Sequence, residues 1–596
     1  MQPTDYSTRH QQYLAQADAL RDRYNRLSIV RLVLFLVAAG AIAWAFGTLP
    51  WLGLLLTVAF LVGFSRFVGY HQGIKRQQEH VARLAEVNAR ELRYLAHDYA
   101  EYESGAAYLD PLHPYVPDLD VLGPYSIFQY INRAGTTIGR ARLAAWLSAP
   151  VDVATIDARQ AATRELAPRL EWRQHLQAHG LTAEDRPEHL DLLASWLAQP
   201  NFVANSRTYR ILLWLILPWM LIGFTTLFFT HWVVFVGFLI LPGLIIRQTL
   251  DRVTDTHERT AQVAGTLRHY AGLVALIDEA TFEADWLRER QQHFRVAGSK
   301  SAAQELRRLD YLVRQLNVRY NPFAIILNLF TLWDLQQIYR LERWKNRHRD
   351  HLARWFDALA DIEAMNSFAT LHYNHPSWAF PELTEATELR AIGLGHPLLP
   401  AEGRVTNDLT MPTAGHLKLL TGSNMAGKST FLRTVGINIV LACVGAPVCA
   451  ERLRLPLLQV RTSMRTQDAL HESTSSFFAE LKRLKTIIDA VEAGENTFFL
   501  LDEILKGTNS NDRHTGSRAL IRQLIQSGGG GIIATHDLEL GDMATRAEGR
   551  VENVRMEVEV RDGELIFDYK LKPGVSQSFN ATQLMRRMGI RIPDDA

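Results

Sequence analysis

From about Glu385 onward the sequence predicts an α/β domain built on a largely parallel sheet. Before it lies a mostly helical region interrupted by two long apolar hairpins. Three observations predict this architecture. Short β-like runs (Leu417–Leu420, Thr497–Leu501, Gly531–Ala534) alternate with helical stretches, the order a parallel sheet with crossover helices requires. Residues 118–210 and 250–370 carry apolar residues at helical spacing, the latter with many paired charges and few glycines, a composition suited to long solvated struts. Finally, Leu32–Phe64 and Ile211–Ile246 contain no Asp, Glu, Lys or Arg.

Taken in order, residues 1–31 and 67–105 read as polar helices flanking the first apolar run. As one helix, either run would be about 50 Å long, against a hydrocarbon core of about 30 Å, so each must fold back on itself. The first has a turn signal at Gly47-Thr48-Leu49-Pro50. The second has Thr230-His231 near its middle, flanked by Phe229 and Trp232 where an interfacial aromatic belt would sit. Two transmembrane helical hairpins, 32–64 and 211–246, are therefore expected, with arms short enough that shallow or tilted insertion also fits. Arg21, Arg23, Arg26 and Arg31 precede the first hairpin, and Arg66, Lys75 and Arg76 follow it. Arg207 and Arg210 precede the second, with Arg247 and Arg252 after it. Cations at all four ends place the N-terminus and the soluble segments on the cytoplasmic side, so a multi-pass protein of the cell inner membrane is expected. A cleaved leader is not expected, because a long polar segment precedes the apolar run.

Residues 106–117, with Pro111, Pro114 and Pro117, read as a linker. The expected units are then 1–117, 118–384 and 385–596. Asn321–Trp333 is apolar but too short to span, and reads as a core helix with a membrane-surface helix as the minor option. Val551–Val560 and Glu564–Leu571 alternate around Asp562-Gly563, a two-residue hairpin signal. Lys+Arg is 64 against Asp+Glu 63, so no overall positive field points to nucleic acid. The two cysteines, Cys443 and Cys449, lie on apolar flanks and read as inert thiols.

The chemistry sits in the C-terminal unit. Gly422-Ser423-Asn424-Met425-Ala426-Gly427-Lys428-Ser429 fits G-x-x-x-x-G-K-[ST] between a strand ending at Thr421 and a helix opening at Ser429. Glycines let backbone N–H groups turn inward around phosphate oxygens, and the helix N-terminus adds positive potential. Lys428 is expected on the β- and γ-phosphates of ATP, and Ser429 on Mg²⁺. Phe498-Phe499-Leu500-Leu501-Asp502-Glu503 ends an apolar strand in two carboxylates beside that loop. Asp502 is the expected Mg²⁺ ligand and Glu503 the general base. His536, directly after Gly531–Ala534, can reach the γ-phosphate or the attacking water. Mg-dependent ATP hydrolysis is the activity expected.

Thr421-Gly422-Ser423-Asn424-Met425-Ala426-Gly427-Lys428-Ser429-Thr430 resembles the ATPase loop of the MutS mismatch-repair family, TGPNMGGKST. Ser475-Ser476-Phe477-Phe478-Ala479-Glu480 is similar to the family's S-T-F-x-x-E segment. Asp502 to Thr508 (DEILKGT) resembles D-E-I-G-R-G-T, and Ala534-Thr535-His536 resembles A-T-H. Leu122-Gly123, Asn132-Arg133, Gly139-Arg140, Trp146-Leu147 and Pro150 resemble the opening of the family's core domain. Phe356–Phe368 and Gly395–Leu399 resemble its passage from lever helices into the ATPase. The resemblance covers about 118–200 and 350–580. It implies an ABC/MutS-type P-loop ATPase behind a MutS-core-like lever domain, working as a homodimer with composite sites. Ser475 of one subunit would then approach the nucleotide held by residues 422–430 of the other.

Departures accompany the resemblance. MutS proteins wedge a Phe, in a Phe-x-Glu motif, into mispaired duplex. Here the N-terminal residues hold polar helices and a hairpin, and the comparable triplet Phe380-Pro381-Glu382 lies just before the ATPase. Ser473-Thr474 replaces the family's Gly-Arg. A basic cluster at Arg340, Arg343, Lys345, Arg347, Arg349 and Arg354 is a candidate for DNA phosphates, for anionic membrane lipid, or for a plain solvated face. Two functions follow. One is a membrane-anchored MutS-like ATPase coupled to mismatched or branched DNA in a repair-related role. The other is an ATP-driven switch acting on a membrane protein or lipid without DNA.

Overall fold

The computed structural model describes residues 2–181, 185–229, 231–295, 301–320, 324–423, 425–465, 476–546, 549–561 and 564–576. Polar flank and apolar arm are not separate elements in the first hairpin. Helix α1 (Gln2–Thr48) and helix α2 (Pro50–Leu95) each run unbroken through both, about 70 Å apiece at 1.5 Å per residue. Leu49 alone leaves the helical region, and Pro50 opens α2 at its first turn, where a missing N–H costs nothing. Near the tip, Gly53 lets α2 close on Phe46: a Cβ there would lie 2.7 Å from the ring.

The foot of α2 enters a polar core. Glu91 is buried and paired with the equally buried Arg133, whose guanidinium lies 3.5 Å from the centroid of the Tyr94 ring. Asn374 donates to the same carboxylate at 3.0 Å, and the Tyr6 hydroxyl of α1 donates to Asn374 at 2.8 Å. Helix α3 (Thr137–Leu147), capped by Thr136, and helix α4 (Leu170–Gly180) pack around the same centre. The proline segment 106–117 is docked rather than free: Tyr115 and Val116 are buried, and the Pro114 carbonyl accepts from Thr462 N at 2.9 Å.

Helix α5 (Arg207–Phe229) and helix α6 (Trp232–Ala261) form the second hairpin. His231 caps α6 by accepting from Val233 N at 3.3 Å, whereas Thr230 lies outside the described residues. All four hairpin helices are long and apolar enough to cross a membrane, and only 6% of the most apolar window in α1 and α2, and 17% in α5 and α6, is buried.

Helix α7 (Ala302–Leu316) leads to the short helix α8 (Ala324–Thr331). The core-helix reading of Asn321–Trp333 is corrected here. Residues 321–323 lie outside the described set, Ala324 is buried, but Ile325 and Ile326 are exposed. The segment packs against α5 and α6, with Phe330 against Phe235, so its apolar face continues that of the hairpin. Helix α9 (Trp333–Asn374) then runs 42 residues, about 63 Å, from this hairpin to the C-terminal unit. Along it the buried Glu363 accepts from Gly135 N at 3.0 Å, Thr136 N at 3.2 Å and the Thr136 hydroxyl. Burial pushes its carboxyl up to about 7. Gly139 is needed beside it, since a Cβ would lie 2.6 Å from the carboxylate.

The C-terminal unit begins earlier than 385. Ala379 bridges Val448, and Glu382–Leu383 pairs with Arg454–Leu455. Its main sheet contains β1 (Leu417–Thr421), β2 (Gln459–Ser463), β3 (Thr497–Asp502), β4 (Gly530–Thr535), β5 (Val551–Arg555) and β6 (Lys572–Pro573), in spatial order β6-β5-β1-β4-β3-β2. All neighbours are parallel except β6 with β5. The alternating run from Val551 therefore splits. Its first half joins the main sheet beside β1, and only Val558–Arg561 pairs with Glu564–Phe567 in a hairpin, with Asp562 and Gly563 outside the described residues. Strands β1, β3 and β4 are buried on both faces, as parallel strands covered by helices must be. Helix α10 (Lys428–Val444), helix α11 (Ser476–Glu492) and helix α12 (Ser510–Gln526) belong to the same unit.

Candidate nucleotide site

Three adjacent strands end at one place. β1 delivers the glycine loop, β3 delivers Asp502 and Glu503, and β4 delivers His536, because the register sets Thr421 opposite Thr535 and Asp502 opposite Ala534. Gly422 has φ +155 and lies so close to the Met556 carbonyl that a Cβ would sit 2.3 Å away; Gly427 has φ +93, where a Cβ would strike Tyr569 at 2.8 Å. Both positions need glycine for the loop to turn back over the start of α10. Asn424 lies outside the described residues. Met425 is exposed at the crest, and Ala426 is buried beneath it.

Lys428 is buried, with Nζ donating to the carbonyls of Gly422 at 2.8 Å and Ser423 at 2.9 Å. Burial lowers its ammonium to about 8, against the pull of Glu503 and Asp502. Ser429, in the first turn of α10, donates its hydroxyl to Asp502 Oδ2 at 2.5 Å, and Thr430 beside it is exposed. Asp502 Oδ1 is buried with no hydrogen-bond partner among the described residues. A buried, orphaned carboxylate oxygen next to a serine hydroxyl and an anion-binding loop is the donor set a hard divalent cation takes. Ser429 and Asp502 thus fit Mg²⁺, which would bring its own positive charge to the phosphates.

Glu503 stands in a left-handed conformation, φ +52, as does Leu505, φ +59. Non-glycine residues there store of order 1 kcal/mol each, and the resembling family motif has glycine at the Leu505 position. Glu503 N is tied to the Ala534 carbonyl at 2.9 Å. Its carboxylate contacts His536 Nε2 on one oxygen and Lys506 Nζ, at 3.0 Å, on the other. The His536 hydrogen bond, helped by Lys506, holds the Glu503 carboxyl down at about 2. His536 Nδ1 lies 3.0 Å from the Gly422 carbonyl. The same nitrogen lies 3.4 Å from Lys428 Nζ, which can only donate.

Lys506 is the residue sequence reasoning missed. Its charge three residues beyond Glu503 was the available signal. Glu480 on α11 accepts from Leu505 N, and Gly507 admits Phe477 so closely that a Cβ would lie 2.6 Å from its Cβ. The serine-phenylalanine segment and the strand-end turn therefore lock together, with Phe478 left exposed. Ser475 lies outside the described residues. Cys443 and Cys449 are buried free thiols whose burial raises both to about 11.

The basic cluster is not one surface. Lys345 is buried, its Nζ donating to the carbonyls of Trp196 at 3.3 Å and Gln199 at 2.8 Å, so it is lost to any phosphate. Arg340, Arg343 and Arg347 line a cleft against α5, while Arg349 and Arg354 are exposed outside it. Phe380 of the wedge-like triplet packs on His372 and under Arg164, and Glu382 pairs with Arg454. It is a structural contact.

A glycine loop between parallel strand and helix, with lysine and serine opposite a strand-end carboxylate, defines a P-loop nucleotide-binding domain. Residues 418–590 match the family MutS domain V. The DNA mismatch repair protein MutS of Fusobacterium nucleatum is 28% identical over 249 residues, 41% of this chain and 27% of that protein. The DNA mismatch repair protein MSH3 of Phaeosphaeria nodorum is 32% identical over 227 residues, 37% of this chain and 20% of that one. MutS of Aquifex pyrophilus is 28% identical over 293 residues, 48% and 32% respectively. The chain thus spans no more than about a third of the length of these relatives. The relation to the MutS family rests on this C-terminal domain.

Proposed function

We propose that the chain is a membrane-anchored MutS-type ATPase that binds ATP with Mg²⁺ and hydrolyses it. Lys428, the backbone of residues 422–430 and Ser429 hold the phosphates, Ser429 and Asp502 hold the cation, and Glu503, released from His536 or Lys506, activates water. The observation that carries this reading is the meeting of Ser429, the orphaned Asp502 oxygen, Glu503 and His536 around Lys428. A homodimer with composite sites is supported by the family relation and by the exposed Phe478 beside the Ser475 segment. The two exposed apolar hairpins and their arginine flanks support an inner-membrane anchor with the N-terminus, core and ATPase on the cytoplasmic side.

The relatives named for DNA mismatch repair support DNA, mismatched or branched, as the partner. A second reading is a switch acting on a membrane partner without DNA. The internal role of Lys345 and the inward-facing arginine cleft favour it. Detergent-solubilised protein titrated with duplex, mismatched and four-way DNA at two salt concentrations, with ATP turnover read in parallel, separates the two. No affinity for any DNA at low salt removes the first reading. Lys428→Ala is expected to abolish nucleotide binding in the same preparation, and unchanged binding would overturn the ATPase assignment.

A further inference from the structure

We infer that the cleft between the second hairpin and helix α9 is a binding site for the phosphate of an anionic phospholipid, an inference that rests on the membrane reading above. Five arginines from three helices converge there: Arg210 at the start of α5, Arg308 of α7, and Arg340, Arg343 and Arg347 of α9. All five are exposed, and the cleft has a volume of about 480 Å³. Among the described residues only Arg308 has a carboxylate within ion-pair range, Glu305 at 4.0 Å. That carboxylate is buried and already accepts from Trp344 Nε1 at 3.1 Å and contacts His348 Nε2 at 3.3 Å. Five like charges around one opening repel one another unless an anion sits between them. Guanidinium forks match phosphate oxygens in pairs, a preference point-charge lysines lack.

The other wall decides which phosphate. Arg210 immediately precedes the apolar run of α5. Trp214, one turn further, is 83% exposed, and Leu217, one turn beyond, is exposed as well. Both line the same cleft. On the next element, Ile325 and Ile326 of α8 are exposed too. A ligand seated here meets cations at one end and the exposed Trp214 and Leu217 at the other, which is the order of headgroup and acyl chain. Basic pockets at the cytoplasmic ends of membrane helices take lipid head groups on these terms. A nucleic-acid backbone has charge along its whole length and nothing to place against Trp214 and Leu217. Occupancy would also pin the start of α9 to the hairpin, 63 Å or so from the end of that helix at Asn374.

The test uses the full chain exchanged into nanodiscs of phosphatidylcholine alone or with phosphatidylglycerol. Co-purifying lipid is counted by native mass spectrometry, and flotation with vesicles of both compositions is run in parallel. The site predicts at least tenfold enrichment of the anionic lipid on the wild-type chain. Arg340→Gln/Arg343→Gln/Arg347→Gln is expected to abolish that enrichment, since each cation is worth about fivefold, while still floating with neutral vesicles. Arg349→Gln/Arg354→Gln, outside the cleft, is expected to keep it. Flotation with neutral vesicles but no anionic enrichment overturns the lipid site and leaves the anchor standing. Failure to float with either vesicle overturns both. Displacement of the lipid by millimolar inorganic phosphate, or by duplex DNA at low salt, also overturns the inference, by assigning the cleft to free phosphate or to nucleic acid.

Discussion

Phe498, Phe499, Leu500 and Leu501 of β3 are fully buried, whereas Leu32, Val37 and Trp44 of α1 are 59%, 65% and 69% exposed. Both segments are runs of apolar residues without a charge. In β3 the chain itself supplies the apolar surroundings, through α10 on one face and α11 and α12 on the other. In the hairpins it supplies almost none, which supports the membrane anchor proposed above. The difference teaches that composition locates apolar segments, while only the packing shows which of them the chain itself covers.

Substitutions of one kind at the two places sharpen the contrast. Leu500→Arg places an unpaired charge in a sealed sheet, and total loss of the folded C-terminal domain is expected, read by limited proteolysis and absent ATP turnover. The same change at Val37 is expected to leave ATP turnover in detergent intact and to weaken vesicle association by about 3 kcal/mol, read by flotation. Equal flotation of the two forms would mean that α1 is not embedded.

Between those extremes lies the joint that fixes the hairpin to the core. Glu91→Ala leaves Arg133 buried without its counter-charge, and a loss of about 3–5 kcal/mol is expected, measured by denaturant unfolding. A change under 1 kcal/mol would show that α2 is not anchored through this pair. Gly507→Ala forces a methyl into Phe477, and a smaller loss of about 1–3 kcal/mol with slower ATP turnover is expected, read by melting and steady-state rate.

Which of these features were legible in the sequence follows their range. The glycine loop, the strand-end carboxylates and His536 are local patterns, and parallel register brings them together without further information. The four long apolar helices were legible because a long uncharged run has few alternatives. Glu91 with Arg133, and Lys345 with the carbonyls at Trp196 and Gln199, are long-range pairings with no periodic signature. For that reason Lys345 read as a surface cation. Asn321–Trp333 read as core because an apolar run of that length fits a core or an interface equally well, and only its packing against α5 and α6 decides. The strand beginning at Val551 read as a hairpin arm because alternation is the same whichever sheet accepts it.

The smallest effect expected concerns pH. Burial depresses Lys428 to about 8 from an ordinary value of 10.5, so the unfolded chain binds more protons than the folded one between those values. The resulting penalty on the fold is full below pH 8 and fades as pH rises toward 10.5. Nucleotide binding runs the other way, because the phosphates need the charged ammonium. ATP affinity is expected to fall by roughly tenfold from pH 7 to pH 9, measured by calorimetry at constant Mg²⁺. A flat profile would mean that Lys428 does not face the phosphates.

The most direct measurement is ATP binding and turnover by vesicle-bound protein carrying Glu503→Gln, beside the unaltered chain. ATP affinity is expected to match the unaltered chain while turnover falls at least a hundredfold, because the phosphate and cation ligands remain and only the water-activating carboxylate is gone. Turnover at the unaltered rate, or failure of the unaltered chain to hold Mg-ATP, would contradict it.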